Sequence, residues 1–201
     1  MFSIIQAAGW PIWFLILTSI AAVALVVERA LSLKRDRIMP PKLFDDVIAL
    51  YRSRQITPEI TQKLEANSAL GRVFANGLRH EHEPRLMMKE AMEDAGRGVA
   101  HDLEKYLAAI GTIATVAPLL GLFGTVVGMI EIFGAQAPAG TNPAQLAHGI
   151  SVALYNTAFG LMIAIPALIA YRYFRGRVDD FLVEMEQQSL RLVDTLKGPV
   201  K

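Results

Sequence analysis

Apolar residues dominate three stretches of the chain, and a polar segment separates the first stretch from the other two. No Asp, Glu, Lys or Arg precedes Glu28, and the 65 residues from Leu107 to Tyr171 contain a single formal charge, Glu131. A surface helix of a soluble protein carries charges along one face, whereas a run of about 20 apolar residues fits the hydrocarbon core of a bilayer. The pattern therefore predicts an all-α, polytopic membrane protein with three transmembrane helices.

The apolar stretch from 107 to 171 is long enough for two spanning helices, because each needs about 20 residues. We predict that it forms a hairpin that turns between Phe133 and Ala147. The first spanning helix is predicted from about Pro11 to Leu31, with a proline in its first turn. The residues that predict the turn of the hairpin are Pro138, Gly140, Asn142 and Pro143.

A polar segment with a helical pattern lies between the first span and the hairpin. Thr57-Pro58-Glu59 combines an N-cap residue, a proline in the first turn and an early acid, which together mark a helix start. Pro84 opens a run that contains no further proline before the second span. One long helix is therefore predicted from about Pro84 to Phe133, and its first half would extend into the cytoplasm.

The last part of the chain is predicted to form a helix that packs on its neighbours, because its apolar residues keep a near-heptad spacing. These residues are Val178, Leu182, Met185, Leu192 and Leu196. The chain thus divides into four predicted segments: an N-terminal end with the first span (1–31), a cytoplasmic helical segment (32–105), the two-span hairpin (106–174) and a C-terminal cytoplasmic helix (175–201).

Basic residues near the membrane ends predict the orientation of the chain. They follow the first and the last span, at Arg29, Lys34, Arg35, Arg37, Arg172, Arg175 and Arg177, whereas residues 1–10 and 132–148 contain none. Lys and Arg favour the cytoplasmic side, so we predict an N-out, C-in protein. Glu28 and Arg29 are predicted to anchor the first span at the lipid headgroups.

Composition excludes several functional classes. The chain has no cysteine, which rules out disulfides, thiol catalysis and Cys-based metal sites. A net charge of +1, with the basic residues at membrane ends, gives no signal of nucleic-acid binding. His80 and His82 are one residue apart and do not share a helix face, so a solvated turn is predicted there instead of a metal site. No cofactor is predicted. An enzyme is disfavoured because no paired carboxylates and no Ser/His pair lie at one depth of the spans.

Two threonines of the hairpin are predicted to lie at the same depth. In an antiparallel hairpin, residues at one level have numbers with a constant sum, which here is about 280. Thr125 and Thr157 add to about 282 and therefore lie level, and Pro118 and Pro166 add to about 284.

Small residues surround both threonines at three- and four-residue spacing. Small faces let membrane helices approach closely, and a threonine hydroxyl can bond to the carbonyl one turn back. Packing alone explains many such stripes, but two threonines at one depth on two small faces favour an ion pathway. The predicted packing and pore-lining positions are Pro118, Gly121, Gly124, Gly128, Ala153, Gly160 and Pro166.

Two other polar residues of the hairpin are candidates for the ion pathway. Glu131 lies six residues beyond Thr125, near the predicted outer interface, where an acid reaches water at little cost. Asn156 is polar within hydrocarbon and is predicted to face protein or a lumen instead of lipid. Neither places an acid at the level of the threonines. If the path conducts protons, we expect a carboxylate from another chain to supply the central carrier.

The two apolar runs of the hairpin resemble the signature of the MotA/TolQ/ExbB proton channel family, inner-membrane subunits of bacterial force-generating motors. The more specific run is Ala117-Pro-Leu-Leu-Gly-Leu-Phe-Gly-Thr-Val-Val-Gly-Met129, and the second extends from Gly149 to Ala167. The resemblance also covers the three-span topology and Glu28-Arg29 at the inner end of the first span.

The resemblance implies a homopentamer around single-span helices of a partner of the ExbD/TolR/MotB kind. In the family, a membrane aspartate of that partner accepts the proton, and Thr125 and Thr157 match the threonines that line the path facing it. The resemblance further implies a multi-pass protein of the bacterial inner membrane. Its expected function is to use the proton motive force for envelope work such as outer-membrane import or envelope maintenance.

One position departs from the pattern of this family. ExbB and TolQ members usually carry a glutamate three residues after the glycine that corresponds to Gly149, and this chain has Val152 there. Valine at this position is more typical of the MotA branch of the family. The sequence therefore leaves open an ExbB-like, a TolQ-like, a MotA-like or a sodium-driven subunit, and a membrane scaffold that conducts nothing is the alternative.

Overall fold

The computed structural model describes residues 9–134 and 143–198, and those two ranges contain helices and no β-strand. In chain order the helices are α1 (Ile12–Ser32), α2 (Arg35–Ile38), α3 (Leu43–Arg52), α4 (Pro58–Asn67), α5 (Ala69–Arg79), α6 (Arg85–Glu104), α7 (Leu107–Gly134) and α8 (Pro143–Lys197). Helix α1, the α6–α7 stretch and α8 are each long and apolar enough to cross a membrane. The predicted fold class, all-α with three spanning helices, is confirmed.

The chain divides into two compact units. One consists of Met1–Glu28 and Tyr106–Tyr173, and the other of Arg29–Lys105 and Phe174–Lys201. The first unit holds the apolar stretches and the second holds most of the charges. The predicted orientation and the assignment of segments to membrane or cytoplasm stay predictions.

Helix starts follow the local sequence signals closely. Helix α1 begins at Ile12, so Pro11 directly precedes the helix instead of lying in its first turn as predicted. Before α4, the hydroxyl of Thr57 accepts a hydrogen bond from the Ile60 amide at 3.4 Å. Before α5, the hydroxyl of Ser68 accepts one from the Gly71 amide at 3.0 Å. These caps satisfy amide groups that lack a partner at the start of a helix.

The helix predicted from Pro84 to Phe133 is interrupted in the structure. Helix α6 ends at Glu104 and α7 begins at Leu107. Between them Lys105 is extended, with φ −50° and ψ 136°, and Tyr106 is left-handed, with φ 66°. Only a few per cent of non-glycine residues adopt a positive φ. No glycine or proline marks the break in the sequence, which is why the pattern predicted a continuous helix.

Arg29 does not act as the predicted headgroup anchor. Its side chain is buried in the second unit, with 4% of the residue exposed, and its Nη1 donates a hydrogen bond to the Leu103 carbonyl at 3.2 Å. Leu103 belongs to the last turn of α6, where carbonyls lack a partner within the helix. Arg29 therefore caps the end of α6.

The C-terminal half of α8 packs within the second unit, as its near-heptad pattern predicts. Val178, Met185 and Leu192 are buried, and Leu182 and Leu196 are half-buried. The end of α8 is also held by polar contacts: Arg85 pairs with Asp194 and donates to the Gly198 carbonyl at 2.5 Å.

The predicted solvated turn is present between α5 and α6. His80 and His82 lie in it, and His82 is exposed. Nδ1 of His80 lies 2.9 Å from the Asn76 carbonyl oxygen. In the described ranges, no group of three or more potential metal-ligating side chains occurs. Of the residues predicted to form the hairpin turn, Pro143 is the first residue of α8. The others, Pro138, Gly140 and Asn142, lie outside the described residues.

Candidate functional site

Helix α7 and the first part of α8 form the predicted antiparallel contact. A Cβ atom built on each glycine of this contact meets the opposite helix at a short distance. The residue numbers of the facing pairs add to about 281, so the depth relation predicted from the sequence is confirmed. These pairs include Gly111–Tyr171, Gly121–Gly160, Gly124–Asn156, Gly128–Ala153 and Ile132–Gly149.

The two predicted threonines meet within this contact. The side-chain oxygens of Thr125 and Thr157 lie 2.6 Å apart, a hydrogen-bond distance. Thr125 Oγ1 also lies 3.1 Å from the carbonyl oxygen of Gly121 on its own helix and 3.3 Å from that of Ala153 across the contact. Both threonines are half-buried. The structure thus brings together two hydroxyls from separate spans at one depth.

The donors and acceptors around Thr125 limit how the hydroxyls can be arranged. Each hydroxyl has one proton to donate and two lone pairs to accept with. The two backbone carbonyls can only accept, so when Thr125 donates to one of them, Thr157 donates to Thr125. The oxygen of Thr157 then keeps capacity to accept a hydrogen bond from a further group. The pair is a short relay of hydroxyls that ends on a backbone carbonyl.

Small residues on both helices bring the backbones close enough for this contact. A Cβ atom on Gly121 would lie 2.6 Å from the Asn156 carbonyl oxygen, and one on Gly160 would lie 2.6 Å from that of Ala117. Real Cβ atoms do not approach backbone oxygens so closely. Any larger residue at these two glycines would therefore separate the helices and the threonine hydroxyls with them.

Asn156 faces protein, as predicted, and lies inside the hairpin. It is 1% exposed, and a Cβ atom on Gly124 would lie 2.8 Å from its Cβ and Cγ atoms. The absence of a side chain at Gly124 makes the space for this amide. Asn156 is therefore a buried neighbour of the threonine pair.

Of the other candidates, Glu131 and Pro166 lie apart from the threonine pair. Glu131 is exposed near the end of α7, about 9 Å along the helix axis from Thr125. Pro118 is half-buried on α7. Pro166 is exposed and borders a groove between α8 and α1, so it lies on a different side of α8 from the small-residue contact.

Sequence reasoning missed two contributors to the contact. Ala117 supplies the carbonyl that Gly160 approaches, and the Tyr171 ring packs on Gly111, where an added Cβ atom would lie 3.2 Å from Cε2. The constant sum of residue numbers places Tyr171 opposite Gly111, but nothing about a tyrosine suggested that its ring would pack on a glycine. The contact of Gly160 with Ala117 is made by a backbone carbonyl, so the side chain at residue 117 does not predict it.

Comparisons with known proteins connect this hairpin to an established family. The family model described as the MotA/TolQ/ExbB proton channel family matches residues 65–187. This range includes α7 and most of α8 and therefore the whole of the threonine contact.

Individual relatives agree with the family match. The biopolymer transport protein ExbB-like 3 of Synechocystis sp. is 35% identical over 163 residues, which cover 79% of this chain and 77% of the relative. An ExbB homologue from Methanothermobacter thermautotrophicus is 34% identical over 76% of this chain and 54% of its own length. The Tol-Pal system protein TolQ of Pseudomonas aeruginosa is 33% identical over 66% of this chain and 60% of its own length. The chain thus spans just over half of the length of the latter two.

Proposed function

Because this chain belongs to the MotA/TolQ/ExbB proton channel family, we propose that it is the ion-conducting subunit of a membrane motor driven by the proton motive force. It is a multi-pass membrane protein, and we place it in the bacterial inner membrane. The proposed work is on the cell envelope, such as import across the outer membrane or envelope maintenance.

One observation carries the proposal: the 2.6 Å contact between the Thr125 and Thr157 hydroxyls. Polar side chains inside spanning segments are costly in hydrocarbon and mark ion paths when they face protein or a cavity. Here two hydroxyls from different helices meet in a stretch whose single charge, Glu131, lies further along α7. Together they offer a proton or a small cation several oxygen ligands at one depth.

The proposed path needs an acid that this chain does not place at the threonine level. A hydroxyl can donate and accept hydrogen bonds but does not take up an additional proton near neutral pH, whereas a carboxylate can bind and release one. We propose that a single-span partner of the ExbD/TolR/MotB kind supplies an aspartate facing Thr125 and Thr157. The arrangement proposed is a homopentamer of this chain around that partner. Glu131 would act at the outer end of the path, and Asn156 would hold the hairpin in register behind the threonines.

The competing proposal is a passive scaffold that assembles through its small-residue faces. Gly121, Ala153 and Gly160 are buried against the opposite helix of the same chain. These faces are therefore used inside the hairpin and do not remain for contacts between chains. This observation favours a conducting role over assembly alone.

Flux across vesicle membranes tests the proposal. The chain and a single-span partner of the ExbD/TolR/MotB kind are reconstituted together and separately, and proton uptake is followed with a pH-sensitive dye under an imposed gradient. We expect uptake only when both proteins are present, and its loss when the partner aspartate is replaced by asparagine. Uptake of sodium instead of protons would overturn the choice of ion. An absence of flux under either gradient would overturn the channel proposal.

A further inference from the structure

The break between α6 and α7 has the geometry of a β-turn. Lys105 has φ −50° and ψ 136°, and Tyr106 has φ 66°. These angles match the two central residues of a type II turn, in which the second central residue has a positive φ and is usually glycine. Tyrosine therefore occupies a position whose backbone conformation favours a residue without a side chain.

Rotation of one peptide plane relates this turn to an uninterrupted helix. A helical residue has φ of about −63° and ψ of about −42°. The ψ of Lys105 therefore differs from the helical value by about 180° and the φ of Tyr106 by about 130°, whereas the φ of Lys105 is close to helical. The two angles that differ flank the same peptide bond. Turning over that one peptide group converts the turn into a helical turn without redirecting the chain.

Buried side chains keep a helical spacing across the break. They recur at intervals of four, four, three and four residues, which is the spacing of one helix face. These residues are Val99, Leu103, Leu107, Ile110 and Ala114. Because the spacing continues through the turn unchanged, an uninterrupted helix would bury the same side chains.

Different interactions favour the two conformations. The stretch 103–108 contains no glycine or proline, and a positive φ is unfavourable for tyrosine, so the local sequence favours the helix. The turn is favoured by Arg29, whose Nη1 donates a hydrogen bond to the Leu103 carbonyl at 3.2 Å. In an uninterrupted helix that carbonyl accepts from the Leu107 amide. Arg29 gives it a partner that does not require the helix to continue.

We propose that the Lys105–Tyr106 peptide is a two-state switch, which flips between this turn and a helical conformation that joins α6 and α7. The side chains of Lys105 and Tyr106 are exposed, so the flip moves no buried side chain. It determines whether the polar helix α6 and the apolar helix α7 are continuous. The switch does not depend on the proposed ion path, since Tyr106 precedes Thr125 by 19 residues, or about 28 Å along a helix.

One pair of isotopes reports on this peptide bond alone. Lys105 is the only lysine that a tyrosine follows, so a chain with ¹³C at its lysine carbonyls and ¹⁵N at its tyrosine amides contains one bonded ¹³C–¹⁵N pair. Solid-state NMR of the full chain in vesicles of phosphatidylethanolamine and phosphatidylglycerol selects that pair. A lysine carbonyl carbon has a higher chemical shift in a helix than in an extended residue, so its shift identifies the conformation.

Two variants of Tyr106 shift the equilibrium in opposite directions. Tyr106→Asn should raise the ratio of turn to helix several-fold, because asparagine is enriched by that order at positive φ. Tyr106→Ala should raise the ratio of helix to turn about twofold or more, because alanine is the strongest helix former. No lysine of the chain is followed by asparagine or alanine, so ¹⁵N in those residues again gives one pair. Tyr155→Ala, which changes an exposed tyrosine inside α8, is the matched control and should leave the Lys105–Tyr106 signal unchanged.

The unmodified chain should show both signals, or one averaged signal that lies between those of the two variants and moves with temperature when exchange is fast. A single signal at the turn position or at the helical position, with no dependence on temperature, would overturn the proposal. That outcome is read from the unmodified chain and does not require either variant to fold.

Discussion

Gly121 and Gly160 face each other across the hairpin so closely that a Cβ atom on Gly160 would lie 3.1 Å from the Cα atom of Gly121. The same Cβ atom would lie 2.6 Å from the Ala117 carbonyl oxygen. Neither neighbour is a flexible side chain that can move away. The spacing of α7 and α8 at the level of the threonines therefore depends on these two glycines.

The first prediction follows from this contact. Gly160→Ala should destabilise the protein by about 1–3 kcal/mol, the usual cost of overpacking, because the added methyl group forces the backbones apart. Gly176→Ala is the matched control on α8, since a Cβ atom there meets nothing within 4 Å. It should be neutral or stabilising by up to about 1 kcal/mol through helix propensity. Thermal unfolding in detergent, followed by circular dichroism, measures both. Equal stability of the two variants would contradict the close contact.

A double-mutant cycle tests the contact between Gly128 and Ala153, which lies further along the same hairpin. A Cβ atom on Gly128 would lie 3.0 Å from the Cβ atom of Ala153, so Gly128→Ala should destabilise the hairpin by about 1 kcal/mol. Ala153→Gly removes the methyl group that it meets. The double variant should therefore be more stable than the sum of the two single effects predicts, by about 0.5 kcal/mol or more. Strict additivity would show that the two positions do not touch.

Arg29 is expected to hold the end of α6 in the second unit. Arg29→Met removes the hydrogen bond to the buried Leu103 carbonyl and should cost about 1–3 kcal/mol. Hydrogen exchange of the amides in the last turns of α6 is the local readout, because loss of a cap promotes fraying there. The exposed Arg37 offers a control, and Arg37→Met should leave exchange in α6 unchanged. Unchanged exchange in Arg29→Met would contradict the capping role.

Variants of Glu131 test the role proposed for this residue at the outer end of the proposed path. Glu131→Gln removes the one formal charge between Leu107 and Tyr171 and should lower proton flux by less than about tenfold, because an exposed charge acts mainly by raising the local ion concentration. Glu131→Asp keeps the charge and should behave like the unmodified chain. A complete loss of flux in Glu131→Gln would instead make this carboxylate an obligatory carrier.

The sequence predicted most of the hairpin because its geometry follows from counting residues. A constant sum of residue numbers places Thr125 opposite Thr157 once two helices and a turn are recognised, and apolar length alone reveals the helices. The break at Lys105 and Tyr106 could not be predicted in this way, since non-glycine residues rarely adopt a positive φ and neither residue type favours one. The burial of Arg29 was missed for a related reason. A basic residue at the end of a span usually marks the membrane interface, and its carbonyl partner is 74 residues away in sequence.

The most direct test of the central claim removes one hydroxyl at a time from the threonine pair. Thr125→Val and Thr157→Val keep the shape of the side chain and remove the hydroxyl. Each should lower proton flux in vesicles containing the partner by at least about tenfold. Loss of a hydrogen bond that contributes ~1.4 kcal/mol raises the free-energy barrier enough to slow the flux by that factor. Thr112→Val is the matched control, because Thr112 lies on the same helix, is exposed, and donates to the Ala108 carbonyl one turn back at 2.8 Å. Its flux should equal that of the unmodified chain. Undiminished flux in both Thr125→Val and Thr157→Val, at normal protein level, would contradict an ion path through this pair.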